Sequence, residues 1–144
     1  INASGRMSSA SHALELLTTQ DSSRATNLAF ELEKLNQERQ ELQNRIWDEV
    51  RTRVEEGLAK GLYQNAILVG DSNWHEGVVG IVASKVTETF QKPAAVLALR
   101  RDFGKGSVRS FGGKDILSAL TACAPLLKGY GGHKYAAGLS VELE

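Results

Sequence analysis

The sequence predicts an α/β protein in which a long connecting helix precedes a small domain with a mixed β-sheet. Residues 21–56 contain neither glycine nor proline, and their apolar residues recur at helical spacing. Thirteen of the 14 glycines lie from Gly57 onward, which indicates a helical first part and a second part rich in turns. After position 62, strand-like apolar segments alternate with helical ones. This alternation is typical of a mixed α/β sheet, here of four or five strands.

The first part is predicted to contain two helices. Ser8–Thr18 forms a short amphipathic helix, and Asp21–Glu56 forms the long one. Asp21 or Ser22 is a suitable N-cap, and Gly57 a suitable stop. At 1.5 Å per residue this helix would extend about 54 Å, which exceeds a small domain. Because residues 1–20 look like the end of another domain, a helix that connects two domains is favoured over one packed on a partner helix.

The second part is predicted to alternate strands and helices. The elements are the strand Asn65–Gly70, the helix Val78–Gln91, the strands Pro93–Leu99 and Lys105–Ser110, the helix Asp115–Lys128 and the closing strand Tyr135–Glu144. Pro125 removes a backbone donor, so we expect it to kink the last turn of its helix. Cys123 falls on the apolar side of the same helix and is expected to be an inert core thiol.

Composition excludes several classes of protein. Lys plus Arg and Asp plus Glu are 17 each, so the net charge is zero, which excludes a strongly basic nucleic-acid coat and an acidic tail protein. The charge is nevertheless divided, with nine acids and six bases in residues 21–56 and ten bases and seven acids in residues 57–144. No apolar run approaches the ~20 residues of a membrane span, and no signal peptide is visible. A single cysteine fits a cytoplasmic protein, and the start at Ile1 suggests a fragment of a longer one.

A basic segment is the first candidate for function. Five bases face one acid, Asp102, within fifteen residues, and glycines are interleaved among them. The bases are Arg100, Arg101, Lys105, Arg109 and Lys114. Bare backbone amides beside cationic side chains suit phosphate oxygens. A solvated hairpin with glycine turns would give the same composition, and both interpretations remain open from the residues alone.

Two further segments carry histidine beside glycine. Gly129–Lys134 contains three glycines and His133, which would donate to a phosphate, ligate a metal or cap a strand. Asn73–Gly80 opens a helix after a strand, a position that favours anions, and Trp74 within it is expected in the core. The three histidines are far apart, and no CxxC, HxxxH or DxD spacing occurs. A self-contained metal centre is therefore not expected.

The order and spacing of the motifs resemble one family over essentially the whole chain. Asn2–Arg6 is followed by the long helix, then by the run Trp74–Ser84, by Gly104–Ser110, and by Gly131–His133 with Ala136–Leu139. This order is similar to that of RecJ-type exonucleases, which are specific for single-stranded DNA and belong to the DHH phosphoesterase superfamily. Each motif alone is modest, but their joint order is highly specific.

The resemblance implies a domain organisation. Residues 1–20 would be the end of a DHH domain, residues 21–57 the linking helix and residues 58–144 the DHH-associated, substrate-binding domain. In the family the DHH domain binds two divalent ions, Mn²⁺ or Mg²⁺, and its metal motifs are absent here. No metal is expected in this chain, and the fragment alone is expected to be inactive.

The resemblance also implies roles for individual residues. His133 would be catalytic, facing the metals and contacting the scissile phosphate, where it stabilises charge. Arg6, Ser107 and Arg109 would hold the 5′-terminal phosphate, for which a guanidinium supplies a planar, permanently charged donor. The other substrate-binding residues would be His75, Ser110, Gly131 and Gly132.

The function implied is that of the substrate-binding half of a 5′→3′ exonuclease for single-stranded DNA, acting in DNA repair and recombination. Its partners would be single-stranded DNA, the DHH domain in cis, single-strand-binding protein and helicases, with no membrane. One alternative is a related phosphodiesterase for oligoribonucleotides or cyclic dinucleotides. Another is a non-catalytic nucleic-acid-binding module.

Overall fold

A computed structural model describes residues 1–143 of the chain and confirms the predicted fold class. The elements are α1 (Asn2–Met7), α2 (Ser11–Thr18), α3 (Ser22–Ala59), β1 (Ile67–Asp71), α4 (Glu76–Phe90), β2 (Ala94–Leu99), β3 (Phe103–Arg109), α5 (Ile116–Ala122), a 3₁₀ helix (Ala124–Leu126), β4 (Gly129–Gly132) and β5 (Ala136–Glu142). They form two compact units, which divide between Arg45 and Ile46 within α3. Within residues 1–143, no helix is long and apolar enough to cross a membrane.

The first unit contains α1, α2 and α3 up to Arg45. Its buried apolar residues are Ala3, Ala13, Leu28 and Leu32. Asp21 caps α3, since its Oδ1 accepts the backbone N–H groups of Ser23 (2.8 Å) and Arg24 (3.1 Å). The Arg24 guanidinium donates two hydrogen bonds to Glu15 (2.6 and 2.8 Å), which lower the pKa of that carboxyl group. The first unit therefore fixes the start of the long helix, and Asp21 is the predicted cap.

The second unit is built on one five-stranded sheet with the order β1-β2-β3-β5-β4. β1 and β2 are parallel, and the other neighbours are antiparallel. The register aligns Val96, Ser107, Gly138 and Gly131 in one row across four strands. Alternate residues of a strand point to opposite faces, so this row and its second neighbours share a face.

Helices cover both faces of the sheet. α4 packs on β2 and β3, and its buried residues Val78, Val82 and Val86 contribute to the core on that face. In α3, Trp47 contacts Phe90 of α4, with ring centroids 6.4 Å apart. α5 packs on β4 and β5, where the opposite face has its own smaller core. The buried members of that core are Val108, Ile116 and Ala137.

The end of α3 differs from the predicted stop at Gly57. The helix continues to Ala59, and Gly61 with φ +76° follows the last turn. Gly57 has a different role, because a Cβ there would lie 2.3 Å from Cε2 of Tyr63 and the ring would have to move. This glycine allows the returning chain to pack its aromatic ring directly on the helix.

Three expectations for the C-terminal part were wrong. The predicted helix Asp115–Lys128 ends at Ala122, because Pro125 cannot donate a helical hydrogen bond and a 3₁₀ turn replaces the last helical turns. Cys123 is consequently exposed rather than in the core. Gly129–Gly132, where no strand was predicted, is the edge strand β4, since pairing with β5 satisfies its backbone. Of the closing strand, Glu144 lies outside the described residues.

Candidate phosphate-binding site

Arg109, the last residue of β3, lies on the sheet face that carries α4. Its Nε donates to Ser84 Oγ (3.1 Å), and its Nη1 donates to Ser107 Oγ (2.6 Å) and to the Val108 carbonyl (2.9 Å). Arg109 is half-buried. These three acceptor oxygens are neutral, and together they fix the plane of the guanidinium. Ser107 Oγ accepts the hydrogen bond from Arg109 through a lone pair, so this bond does not use the hydroxyl proton of Ser107.

α4 supplies two residues to this arrangement. The Ser84 hydroxyl donates to the Gly80 carbonyl one turn earlier (3.2 Å) while it accepts from Arg109. A Cβ at Gly80 would lie 3.2 Å from Ser107 Oγ and 3.3 Å from Arg109 Nη2. We refer to Gly80, Ser84, Ser107 and Arg109 as the Arg109 cluster. Sequence reasoning missed Gly80 and Ser84, and their four-residue spacing on one helix face was the available signal.

Two glycines extend the row of Ser107 across the sheet. Gly138 pairs with Ser107, and Gly131 pairs with Gly138. A Cβ at Gly131 would meet nothing within 4 Å, and one at Gly138 would meet only the Gly106 carbonyl at 3.7 Å. Neither glycine has a positive φ. The fold does not demand glycine at these two positions, which leaves the sheet backbone open to close approach.

His133 follows β4 at the tip of the β4–β5 hairpin and is exposed. Its backbone N–H donates to the carbonyl of Ala136 (2.8 Å), and Ala136 pairs with Arg109. With strands spaced about 4.8 Å apart, the backbones of His133 and Arg109 are roughly 10 Å apart. Gly132 before it has φ +147°, and a Cβ there would lie 2.5 Å from the Ala136 carbonyl oxygen, so the hairpin requires this glycine.

His75 has a structural contact of its own. It is the N-cap of α4, and its Nδ1 accepts the Gly77 N–H (3.1 Å). Because Nδ1 is an acceptor, a neutral His75 carries its proton on Nε2 and can donate there. Gly80 is five residues further along the helix, about 7.5 Å along its axis. His75 therefore lies outside the hydrogen bonds of the Arg109 cluster.

Trp74 is buried, as predicted, and ties the start of α4 to α3. Its Nε1 donates to Glu49 Oε2 (2.8 Å), and the Arg53 guanidinium lies 5.2 Å from its ring centroid. Arg53 also donates to Gly70 O and Asp71 Oδ2, both at 2.9 Å. These contacts place the loop that carries His75.

Ser110 makes its recorded hydrogen bonds outside the Arg109 cluster. The Ser110 hydroxyl donates to the carbonyl of Lys114 (2.5 Å), and its N–H donates to the carbonyl of Tyr135 (2.9 Å). Ser110 thus closes the loop before α5 and joins it to the β4–β5 hairpin. Arg6 is exposed in the last turn of α1, in the first unit.

The five clustered bases do not act as one surface. Arg100 donates to three backbone carbonyls, which makes it a structural residue; the acceptors are Ser72, Trp74 and Leu99. Lys105 pairs with Glu76 at the start of α4 (3.0 Å). Arg101 is 95% exposed beside Asp102. Of the five, Arg109 is the one held in a defined plane by side chains from two elements.

The described residues do not fit a self-contained metal centre. Within residues 1–143, no group of three or more His, Cys, Asp or Glu side chains lies close enough to hold a metal ion. The chemistry available at the Arg109 cluster is anion binding by a guanidinium, a hydroxyl proton and open backbone.

Comparison with protein families places this fold. The family model of the DHHA1 domain matches residues 59–144, which include all five strands. The chain belongs to the DHHA1 domain family.

Relatives of this DHHA1 chain extend the similarity to its whole length. It is 42% identical to the single-stranded-DNA-specific exonuclease RecJ of Bacillus subtilis over 146 residues, covering 100% of this chain and 18% of that protein. It is 37% identical to RecJ of Thermus thermophilus, covering 99% of this chain and 20% of that protein. RecJ of Escherichia coli is 36% identical, with 99% and 26% covered. The chain thus spans about a fifth to a quarter of the length of these relatives.

Solved structures agree with the DHHA1 assignment. A crystal structure of Thermus thermophilus RecJ in complex with Mn²⁺ matches with a TM-score of 0.87 at 37% identity, covering 98% of this chain and 20% of that one. A structure of exonuclease RecJ bound to manganese matches with a TM-score of 0.81 at 37% identity, with 98% and 34% covered. The predicted resemblance to RecJ is therefore confirmed.

Proposed function

We propose that this chain is the substrate-binding part of a 5′→3′ exonuclease specific for single-stranded DNA, acting in repair and recombination. The proposal is supported by similarity to RecJ over the whole chain and by the Arg109 cluster. The single observation that carries it is the Ser107–Arg109 pair, joined at 2.6 Å beside the part of the sheet face that is open at Gly138 and Gly131.

The pair supplies what a terminal phosphate needs. A guanidinium is planar and permanently charged, and it donates in parallel to phosphate oxygens. The hydroxyl proton of Ser107 adds a neutral donor on the same face. The open backbone at Gly131 and Gly138 lets the strand approach the sheet without meeting side chains. Arg6, His75, Ser110 and Gly132 remain predicted substrate contacts.

His133 is proposed to act at the scissile phosphate. It lies at an exposed hairpin tip, and its backbone is two strand spacings, about 10 Å, from the backbone of Arg109. One nucleotide of a single strand extends over several ångströms, so a neighbouring phosphate would reach His133 when the terminal one binds Arg109. A donor from His133 would stabilise the charge that develops as the phosphodiester is cleaved.

The divalent ions are proposed to come from outside this chain. Two Mn²⁺ or Mg²⁺ ions bound by a DHH domain would supply the attacking hydroxide. Residues 1–143 would bind and orient the strand, and the chain alone is expected to be inactive. Single-strand-binding protein and helicases remain predicted partners, and the cytoplasm the predicted location.

The test compares strands with a 5′-phosphate and a 5′-hydroxyl in the full-length exonuclease. Arg109→Ala should weaken binding of the phosphorylated strand by about 2 kcal/mol, roughly thirtyfold, because a charged hydrogen-bonding group is lost. Binding of the hydroxyl strand should change far less. Fluorescence anisotropy at one fixed ionic strength measures both affinities.

Arg101→Ala is the matched control, since Arg101 is an exposed arginine in the loop before β3. It should change the two affinities equally and only slightly. An equal loss on both strands with Arg109→Ala would show that Arg109 is a general backbone contact rather than a terminal-phosphate site. Degradation of oligoribonucleotides or cyclic dinucleotides in preference to long single-stranded DNA would favour the alternative phosphodiesterase.

A further inference from the structure

We propose that Gly80 and Ser84 of α4 are positioning residues that hold the Arg109 guanidinium in the plane that receives the 5′-phosphate. The inference rests on the proposed function, because that function gives Arg109 its ligand. It assigns a role to the helix that follows the Trp74-His75 segment, beyond the binding residues of β3.

Ser84 fixes one edge of the guanidinium. Its hydroxyl donates to the Gly80 carbonyl at 3.2 Å, so the proton points back along the helix. The lone pairs of Oγ are then directed away from that carbonyl, and one accepts from Arg109 Nε at 3.1 Å. A serine hydroxyl bonded to the preceding helical turn has a defined rotation, so it offers the arginine one fixed acceptor.

β3 fixes the adjacent edge. Nη1 of Arg109 donates to Ser107 Oγ at 2.6 Å and to the Val108 carbonyl at 2.9 Å. Three oxygens from two different elements therefore hold Nε and Nη1. Two fixed nitrogens define the plane of the rigid guanidinium, and with it the direction of Nη2.

Gly80 provides the space for this plane. The position where its Cβ would be lies 3.2 Å from Ser107 Oγ and 3.3 Å from Arg109 Nη2, closer than ordinary van der Waals contact. The neighbours that a methyl group would displace are both side-chain ends of the Arg109 cluster. A side chain at position 80 would therefore disturb the site rather than the core.

Pre-positioning has a physical consequence for binding. An arginine side chain has many rotamers. A ligand that must order this side chain binds more weakly, because the lost conformational entropy reduces the free energy of binding. Because α4 and β3 order Arg109 before the ligand arrives, this cost falls on folding and not on binding. A less ordered Arg109 should selectively weaken binding of the 5′-phosphorylated strand, since the 5′-hydroxyl strand lacks the group that Arg109 binds.

Ser84→Ala is the first test, made in the full-length exonuclease with the two strands described above. Affinity for the 5′-phosphorylated strand should fall about fivefold, while that for the 5′-hydroxyl strand stays constant. Ser84→Thr should restore the preference for the 5′-phosphorylated over the 5′-hydroxyl strand, because a helical threonine hydroxyl also bonds to the preceding turn. Ser118→Ala, an exposed serine on α5, is the matched control and should change neither affinity.

Gly80→Ala is the second test and separates the site from the fold. Alanine has a higher helix propensity than glycine, so the midpoint of thermal unfolding should not fall. The preference for the phosphorylated strand should nevertheless fall at least fivefold, because the methyl group displaces the guanidinium. Loss of preference without loss of stability is an outcome that a purely structural role would not give.

The outcomes distinguish the two proposals. If Arg109→Ala abolishes the preference while Ser84→Ala and Gly80→Ala retain it, the positioning role is overturned and the proposed function stands. If Ser84→Ala lowers the affinity for both strands equally, its effect is general and the positioning role is again overturned. If Arg109→Ala itself leaves the preference intact, the phosphate site is elsewhere and both proposals fail.

Discussion

Gly131 and Gly132 are adjacent in β4, but the chain itself explains glycine only at Gly132. There, φ is +147° and a Cβ would lie 2.5 Å from backbone atoms of the partner strand. At Gly131 the φ is not positive and the space above the residue is open. The alternation of the strand places Gly131, not Gly132, in the row of Ser107. At the scale of single residues, one glycine serves the hairpin and the other leaves the candidate site uncovered.

The pair gives opposite predictions for alanine substitution. Gly132→Ala should lower the free energy of unfolding by about 2 kcal/mol or more, because the backbone is forced into a conformation that side chains avoid. Gly131→Ala should leave it unchanged or raise it slightly, since alanine is less flexible in the unfolded chain.

Affinity for single-stranded DNA should fall with Gly131→Ala because the methyl group faces the strand. Denaturant unfolding and DNA binding measure the two effects. Full DNA affinity in Gly131→Ala would remove this row from the interface.

The resemblance to RecJ-type exonucleases implied the roles of Ser107 and Arg109 in the Arg109 cluster, and the spacing of these two residues agrees with it. Ser107 and Arg109 are two residues apart in a strand, so any strand assignment places them on one face. Ser84 lies on another element, and its contact with Arg109 depends on how α4 packs on β3. The sequence does not contain that packing register in readable form. Contacts within an element were therefore predictable here, and contacts between elements were not.

At the scale of elements, the loop between β1 and α4 is held by a charged contact. Asp71 Oδ1 accepts the N–H of Asn73 (3.0 Å), and its Oδ2 accepts from Arg53 of α3 (2.9 Å). The Asn73 hydrogen bond first, and the Arg53 guanidinium second, lower the pKa of Asp71 below its usual value. The ionised carboxylate thus helps to fix the segment that carries Trp74 and His75.

The lowered pKa sets the sign of a pH dependence. A carboxyl group whose pKa is lower in the folded state stabilises the fold above its unfolded pKa of about 4. That contribution is lost as the pH falls through the folded value. Asp71→Asn should therefore lower stability at pH 7 and reduce the further loss of stability below pH 4. Urea unfolding across this range measures both effects.

Asp48→Asn provides the comparison for that series, because Asp48 is an exposed acid on α3. It should leave the free energy of unfolding at pH 7 unchanged. If Asp71→Asn had the same stability as the parent at pH 7, the contact with Arg53 and Asn73 would contribute nothing to the loop.

The errors of prediction also belong to whole elements. α5 was predicted too long and β4 was not predicted, because glycine and proline were interpreted only as signs of turns and kinks. A glycine-rich segment forms a strand when a partner strand satisfies its backbone groups, which is a tertiary condition. The elements with strong local patterns, α3, α4 and β2, were predicted to within three residues at each end.

At the scale of the whole molecule, the sheet order determines which motifs meet. β5 lies between β3 and β4 and pairs with both. The end of β3 and the hairpin after β4 therefore lie at one end of the sheet. Arg109 and His133 are 24 positions apart in sequence but two strand spacings apart in the fold. His75 lies toward the other end of the same face, where Glu76 pairs with Lys105. The candidate site is therefore an extended face suited to an extended strand.

This arrangement predicts that terminal binding and cleavage respond to different residues. His133→Ala in the full-length exonuclease should reduce kcat about a hundredfold, since one donor to developing charge is removed. Affinity for the 5′-phosphorylated strand should change less than about threefold, because Arg109 and Ser107 remain. Arg109→Ala should show the converse pattern, with binding weakened more than kcat.

Single-turnover rates at saturating DNA, measured beside equilibrium binding, separate the two effects. Lys134→Ala, at the same hairpin tip, is the matched control and should retain the turnover of the parent enzyme. If His133→Ala lost affinity and kept its saturated rate, His133 would be a binding residue like Arg109. The extended face would then hold the strand along its whole length, and the donor to the scissile phosphate would have to come from another part of the exonuclease.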